Sequence, residues 1–218
     1  MHKRSFSILN KVQLRKQFRA QCRAILPALR SAAAQQAALL FSSHSFFKHN
    51  TIFASYAARE DEFDTMPLIK EIWQAGKRCY LPILSIKNDK HLEFAAYHAG
   101  DVLHYNRYHI LEPGIRADTL DPTEIDIVIL PLLAFDKLGN RLGTGAGYYD
   151  RTFTFLQGKE QANPLLIGLA YSWQQIDAIP ADIWDIRLDG IITDQDITLF
   201  HNHRAMRWTD IDKNTGAT

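Results

Sequence analysis

The chain has 218 residues, 46% of them apolar and 22% charged, with a net charge of +1. A chain of this length buries about 70% of its unfolded surface, so it needs no disulfide or metal staple, and its balance of residues excludes a disordered or fibrous protein. No stretch approaches the roughly 18–20 consecutive apolar residues of a membrane span. The two cysteines, Cys22 and Cys79, lack metal-like spacing and fit a reducing compartment.

The charge is unevenly spread. Residues 1–50 carry nine Lys or Arg and no Asp or Glu, which leaves sixteen basic and twenty-four acidic residues, a net of −8, for the remainder. Such asymmetry fits a polyanionic small ligand, a nucleic-acid face or a targeting peptide. A removable transit peptide is disfavoured because a helical pattern already begins near Asn10, and the apolar core of a secretory leader is missing. A soluble, cytoplasmic protein that neither enters a membrane nor binds nucleic acid is the expectation, with residues 1–10 an N-terminal extension, 11–208 a single domain and 209–218 a polar tail.

From Lys11 to Ile25, Leu14, Phe18, Cys22 and Ile25 recur at helical spacing, continued by Leu29. Beside this stripe Lys11, Arg15, Arg19 and Arg23 form a ridge of four cations, either a solvated face or a face laid against phosphates. Pro27 ends or interrupts the helix, and Ser31 is positioned to cap a second one over Ala32–Leu40. Thr51–Ala57 reads as a strand, Thr65–Ala75 as a helix closed by Gly76, Arg78–Ile86 as a strand perturbed at Pro82, and Leu92–Tyr97 as another. Residues 98–122 have no clear period and read as a long irregular segment, more often a site wall than filler. Asp126–Leu133 is apolar after its first residue, as a central strand covered on both faces should be. A helix from about Tyr148 to Leu156 and strands at Leu165–Tyr171 and Leu188–Thr193 follow. Helices alternating with strands predict an α/β fold, a three-layer sandwich with a mostly parallel central sheet.

The informative segment is Arg141–Arg151, between the buried strand and a helix, where open α/β sheets bind ligands. Gly143, Gly145 and Gly147 alternate, so the backbone can turn sharply and offer N–H groups to an anion, joined by those of the helix N-terminus. Arg141 and Arg151 flank the loop with paired donors. The spacing matches neither a dinucleotide fingerprint nor a P-loop, and a purely structural glycine turn remains an alternative. A carboxylate beside phosphates repels them unless a divalent cation intervenes, so Asp150 suggests magnesium, with a helix cap or an ion pair to Arg151 as the alternative. Tyr148 and Tyr149 line a planar substrate or pack the helix.

The run Leu132–Arg151 resembles the signature of the 5-formyltetrahydrofolate cyclo-ligase family, also called methenyltetrahydrofolate synthetases. Lys11-x-x-Leu14-Arg15, Glu62-Phe-Asp-Thr65, Gly76–Pro82, Ile110–Pro113 and Trp184–Thr193 occur in the family's order, so the resemblance covers roughly residues 11–197. It implies ATP- and magnesium-dependent closure of 5-formyltetrahydrofolate to 5,10-methenyltetrahydrofolate: ATP phosphorylates the formyl oxygen, N10 attacks the resulting iminium phosphate, and phosphate leaves. It also implies a fold related to the sugar-phosphate isomerase and coenzyme A transferase architecture. By resemblance, Lys11, Arg15, Arg141, Gly143, Thr144, Gly145, Ala146, Gly147, Tyr148, Asp150 and Arg151 bind ATP, and Asp150 and Asp185 hold magnesium. Glu62, Phe63, Tyr105, Tyr108 and Tyr149 take the folate, and Arg151, Tyr148 and Tyr149 are catalytic. Arg19 and Arg23 are left as solvent-facing or folate-tail contacts. A monomer is expected.

Three positions depart from the pattern: Ala146 where the family often has glycine, Trp184 where histidine commonly precedes the aspartate, and Asp194 in place of glutamate. Ala146 is harmless unless that position needs positive φ. Two other readings compete with the cyclo-ligase. A sugar-phosphate isomerase or acyl transferase would use an anion loop without splitting ATP, and a nucleic-acid binder would use the basic N-terminal region, which lacks interleaved stacking aromatics.

Overall fold

The computed structural model describes residues 10–85, 90–114, 118–159 and 162–200. The predicted extension apart from Asn10, the end of the strand expected at Ile86, and the polar tail Thr209–Thr218 lie outside them.

The first helix, α1 (Lys11–Arg23), begins where the Asn10 side chain accepts hydrogen bonds from the Val12 and Gln13 N–H groups and the Gln13 side-chain oxygen accepts one from the Asn10 N–H. Three N–H groups are thereby satisfied by a reciprocal pair of side chains, and Asn10 caps the helix. The second helix, α2 (Pro27–Ser43), starts four residues before the expected Ser31 cap. Proline suits the first helical position because its missing N–H would be unpaired there in any case, so Pro27 opens this helix rather than merely ending α1. A short helix, α3 (Ser45–His49), leads into β1 (Ile52–Ala54), and α4 (Met66–Gln74) ends at Gly76, left-handed at φ 67°. The strands β2 (Arg78–Leu84) and β3 (Leu92–Ala96) follow.

The segment predicted as irregular contains three short strands, β4 (Leu103–Tyr105), β5 (Leu111–Pro113) and β6 (Thr119–Leu120). Two or three residues are too few to establish an alternating pattern, which explains the miss. Beyond β7 (Ile127–Pro131) the chain forms a second small hairpin, β8 (Ala134–Phe135) with β9 (Arg141–Leu142), and then α5 (Tyr148–Thr152). The helix expected to reach Leu156 stops at Thr152 and gives way to a 3₁₀ turn at Thr154–Leu156. The strands β10 (Leu165–Leu169), β11 (Gly190–Ile192) and β12 (Ile197–Leu199) complete the described residues.

The main sheet runs β12-β11-β10-β7-β1-β2-β3-β6. Its centre, β11-β10-β7-β1-β2, is parallel, whereas β12, β3 and β6 join antiparallel at the edges. The sheet is therefore mixed and mostly parallel. In β7, Ile127 and Ile129 face the layer of α2, α3 and α4, while Val128 and Leu130 face the layer holding Phe153 and Leu156. All four are fully buried, each worth about 1.5–3 kcal/mol relative to exposure, which is why this strand reads as a continuous apolar run. One face carries three helices and the other mostly α5, the following turn and loops, so the two covering layers are unequal. No helix among the described residues is long and apolar enough to cross a membrane.

The β8–β9 turn is fixed by buried Asp136, whose carboxylate accepts from the N–H groups of Leu138, Asn140 and Ile179 and from the Asn140 side chain. In the same turn Gly139 is left-handed at φ 78°, and a Cβ there would lie 2.8 Å from the Leu188 carbonyl oxygen. Replacing Gly139 with Ala should lower stability by about 1–3 kcal/mol. Urea unfolding checks this, and an unchanged midpoint would refute the turn's importance.

Candidate functional site

The strand order reverses between β1 and β7, since the chain steps from β1 to β2 on one side and from β7 to β10 on the other. Loops leaving the carboxyl ends of such neighbours diverge and leave a crevice. A cleft of about 960 Å³ opens there, lined by Tyr56 and Glu62 after β1, Pro82–Leu84 at the end of β2, and the glycine loop after β9.

The glycine loop is clamped to α1. Arg15 donates through Nε to the Gly143 carbonyl at 2.9 Å, and Arg19 donates to the Thr144 carbonyl at 3.1 Å. Gly145 and Gly147 are left-handed at φ 111° and 67°, and a Cβ on Gly147 would lie 2.9 Å from the Arg151 guanidinium. Ala146 between them is not among the residues of positive φ, so its methyl group imposes no backbone strain. Arg151 donates to the Ala146 and Lys90 carbonyls, each at 2.8 Å. With loop carbonyls occupied by guanidinium groups, the loop's N–H groups are the natural partners of a ligand anion. The helix expected over about Tyr148–Leu156 is five residues long, too few aligned peptides for a substantial dipole to add to the loop's N–H groups.

Arg141 lies beneath the loop, its side chain 6% exposed, donating to the Ile186 carbonyl and pairing with Asp150 at 2.6 Å. Asp150 also accepts from the Ile186 N–H. At the start of α1, Lys11 pairs with Asp182 at 2.6 Å and Asp185 at 3.0 Å. Burial pulls the Lys11 pKa down, but hydrogen bonds and charge from the two aspartates outweigh it and leave the amine above its ordinary value. Both predicted magnesium positions, Asp150 and Asp185, line the cleft, each already paired with a cation of the chain. No group of three or more His, Cys, Asp or Glu side chains that could hold a metal occurs among the described residues. A magnesium ion brought by phosphates commonly needs only one or two carboxylates and keeps its waters, and Asp150 and Asp185 fit that demand.

Beside α1, Glu62 is buried and held by Arg59, which donates from its guanidinium at 3.1 Å and from its backbone N–H at 3.0 Å. Burial pushes the Glu62 carboxyl above its ordinary pKa, with Arg59 offsetting part of the effect. The Tyr149 phenol is raised well above its ordinary range by burial first and then by the Glu62 charge. Neighbouring Asp61 is contacted by Arg19, Arg23 and Arg59 at 3.4, 3.6 and 3.7 Å. The buried Nε atoms of Arg19 and Arg59 make no hydrogen bond and face Asp61 as ion-pair partners only.

Of the predicted positions, Lys11, Arg15, Arg141, Gly143–Asp150, Arg151, Asp185, Glu62 and Tyr108 line one cleft. Two do not join them. Phe63 is in the core, its ring 4.5 Å from Tyr171, because its backbone is drawn inward by the Tyr56 hydroxyl bonding its carbonyl. Tyr105 is 71% exposed on the hairpin, its ring near His109 instead. Tyr108, at the hairpin tip, faces Tyr148 at 6.3 Å. The irregular reading of 98–122 missed three short strands, yet that segment does supply a wall through Asn106, Tyr108 and Ile110–Glu112. Arg19 faces the cleft, whereas Arg23 is 63% exposed and turns to Asp61. Sequence reasoning passed over Arg59 and Asp182. Their signals were modest: a cation three residues before Glu62, and an acid three residues before Asp185.

Glu62 binds its proton more tightly in the native state than in the unfolded chain, where its pKa is near 4.5. Stability from this group is full below that value and is lost as pH rises from 4.5 through the raised native pKa. Glu62→Gln should therefore flatten the fall of stability with pH and leave the protein at least as stable at pH 7.5, measured by calorimetry. A marked loss of melting temperature at pH 7.5 would show that the Arg59 pairing outweighs the burial.

A sequence profile of the 5-formyltetrahydrofolate cyclo-ligase family matches residues 8–194. The chain is 37% identical over 172 residues to the 5-formyltetrahydrofolate cyclo-ligase of Escherichia coli K12, an alignment spanning 78% of this chain and 93% of that protein. The mouse 5-formyltetrahydrofolate cyclo-ligase is 28% identical over 156 residues, 69% of this chain and 76% of its own. Among solved structures, the 5,10-methenyltetrahydrofolate synthetase of Aquifex aeolicus superposes with a TM-score of 0.74 at 27% identity, covering 89% of this chain and 94% of that one. The Mycoplasma pneumoniae 5,10-methenyltetrahydrofolate synthetase gives 0.67 at 26% identity, covering 86% and 100%. With an α/β fold shared across nearly its whole described length and a profile match over most of its residues, the chain belongs to the 5-formyltetrahydrofolate cyclo-ligase family.

Proposed function

We propose that this chain is an enzyme that closes 5-formyltetrahydrofolate to 5,10-methenyltetrahydrofolate at the expense of ATP, releasing ADP and phosphate. Beyond the family relationship, one observation carries the assignment. A left-handed glycine loop clamped by Arg15 and Arg19 and a buried acid, Glu62, open onto the same cleft. A phosphate cradle alone would suit many enzymes; a desolvated carboxylate a short distance along the cleft adds a partner for the N–H groups of a pterin ring.

In this reading Lys11, Arg15, Arg141, Arg151 and the N–H groups of Gly143–Gly147 bind the triphosphate and orient its terminal group. Asp150 and Asp185 would hold magnesium, which neutralises phosphate charge when bound. Phosphorylation of the formyl oxygen gives an iminium phosphate, N10 attacks the formyl carbon, and phosphate departs. The substrate is itself the nucleophile, so the protein's task is alignment and charge stabilisation rather than covalent catalysis. Glu62 and Tyr149 orient the pterin, and Tyr148, flanked by Arg151 with its guanidinium carbon 5.2 Å from the ring centre, closes the site from the loop side. The proposal takes residues 11–208 as one catalytic domain acting as a monomer. The mixed open sheet with its cleft at the strand-order reversal supports kinship with the sugar-phosphate isomerase and coenzyme A transferase architecture.

With ATP and magnesium, the purified protein should convert 5-formyltetrahydrofolate to the methenyl form, followed by its near-ultraviolet absorbance. A folded sample that produces none beside a working control sinks the assignment. Arg151→Ala should raise KM for ATP by about tenfold or more, the scale of one lost charged hydrogen-bonding group, with a smaller effect on folate. Glu62→Ala should chiefly raise KM for folate, and unchanged folate binding and turnover would remove Glu62 from the site.

A further inference from the structure

Trp184 is 64% exposed, yet it lines the cleft, and neither a hydrogen bond nor a ring contact engages it among the described residues. The turn that carries it is firmly held. Asp182 and Asp185 bond across it, from the Asp182 N–H to the Asp185 carboxylate at 2.9 Å and from the Asp185 N–H to the Asp182 carbonyl at 3.0 Å. Lys11 ties both carboxylates to α1, Arg141 donates to the Ile186 carbonyl, and Gln157 donates to the Ile183 carbonyl at 3.4 Å. A large planar side chain is thus presented to the cleft on a pinned backbone, so ordering it costs the rotamer freedom of one side chain and not that of the turn.

We propose that Trp184 is the stacking platform for the base of the nucleotide, and so a specificity-determining residue for the reaction. This rests on the reading of the chain as an ATP-dependent enzyme and deepens it. Arg19, Arg15 and Lys11 lie on successive turns of α1, so the ridge spans about 12 Å along the helix axis. Its Arg19 end stands beside Asp61, which contacts Arg59, the partner of Glu62; its Lys11 end stands beside Asp182 and Asp185. The terminal phosphate has to reach the substrate at the Glu62 end, so the triphosphate runs along the ridge toward Lys11 and the base emerges next to Trp184. The other aromatic residues lining the cleft are Tyr56, Tyr108, Tyr148 and Tyr149. The phenols of Tyr56 and Tyr149 both sense the Glu62 charge, which assigns these two to the other end, while Tyr148 and Tyr108 face each other and so already have a ring partner. The half-exposed carboxylate of Asp182, paired with Lys11, stands at the same end and can accept from a ribose hydroxyl. An indole face and a purine plane attract by offset stacking.

The test varies ATP and 5-formyltetrahydrofolate separately in steady-state assays of wild type, Trp184→Leu and Trp184→Phe. Trp184→Leu should raise KM for ATP by about tenfold, the order expected for one lost base–aromatic stack, and leave KM for folate within about twofold, while Trp184→Phe recovers most of the loss. ADP should quench the wild-type indole emission and quench Trp184→Phe less. Because the side chain is exposed, the melting temperature of Trp184→Leu should match wild type. An unchanged KM for ATP in Trp184→Leu, or an increase confined to folate, overturns the base platform while wild-type turnover upholds the cyclo-ligase reading. A wild-type chain without ATP-dependent turnover overturns both.

Discussion

The site depends on two hydrogen bonds from α1 to the glycine loop, Arg15 to the Gly143 carbonyl and Arg19 to the Thr144 carbonyl. Glycine loops are permissive, and an unsupported loop with two left-handed residues would sample many shapes. The arginines select one of them by occupying the carbonyls on one side. The same helix brings Lys11 to Asp182 and Asp185, and Arg19 and Arg23 to Asp61. A single helix thus organises both ends of the cleft and the loop between them. Its apolar stripe, with Phe18 and Cys22 buried, sets the rotation that makes this possible.

The uneven charge of the chain acquires a structural meaning here. Cations of the first fifty residues meet acids from the rest: Lys11 meets Asp182 and Asp185, while Arg19 and Arg23 meet Asp61. The cleft that results is neither a bare cationic patch nor a neutral one. Each arginine retains donors beyond those in use, since a guanidinium carries five N–H groups. Phosphate can therefore be taken up without dismantling the support, and the acids restrain the cations from repelling one another when the site is empty.

Much of this was legible in the sequence because it rests on local chemistry. The helical stripe from Leu14 to Cys22, the buried run of β7 and the three alternating glycines each announce themselves within a dozen residues. What escaped was decided at a distance or in pieces too short to carry a period. The start of α2 was misread because Pro27 was taken for a terminator, although proline serves equally well at a first turn. The hairpin β4–β5 offers three residues per strand, fewer than an alternation needs. Phe63 and Tyr105 carry the right chemistry for a folate wall, but their direction depends on tertiary contacts: a hydroxyl from Tyr56 draws the backbone at Phe63 inward, and the hairpin turns Tyr105 outward. Arg59 and Asp182 looked ordinary because their partners are defined by the fold.

The contacts that close the Lys11 end of the cleft join residues 128 to 174 positions apart in the chain. On the ribosome, α1 emerges early and must wait for the glycine loop and for the turn at Asp182–Asp185 before its cations have a task. The cleft is thus among the last features to become whole, and it exists only when both ends of the domain are in register. In the proposed reaction the nucleotide would meet residues from both ends of the domain, and its free energy of binding would then add to the stability of the complete fold. Cellular ATP would then act as more than a reactant: at concentrations well above its dissociation constant it would hold the newly made enzyme in its finished form.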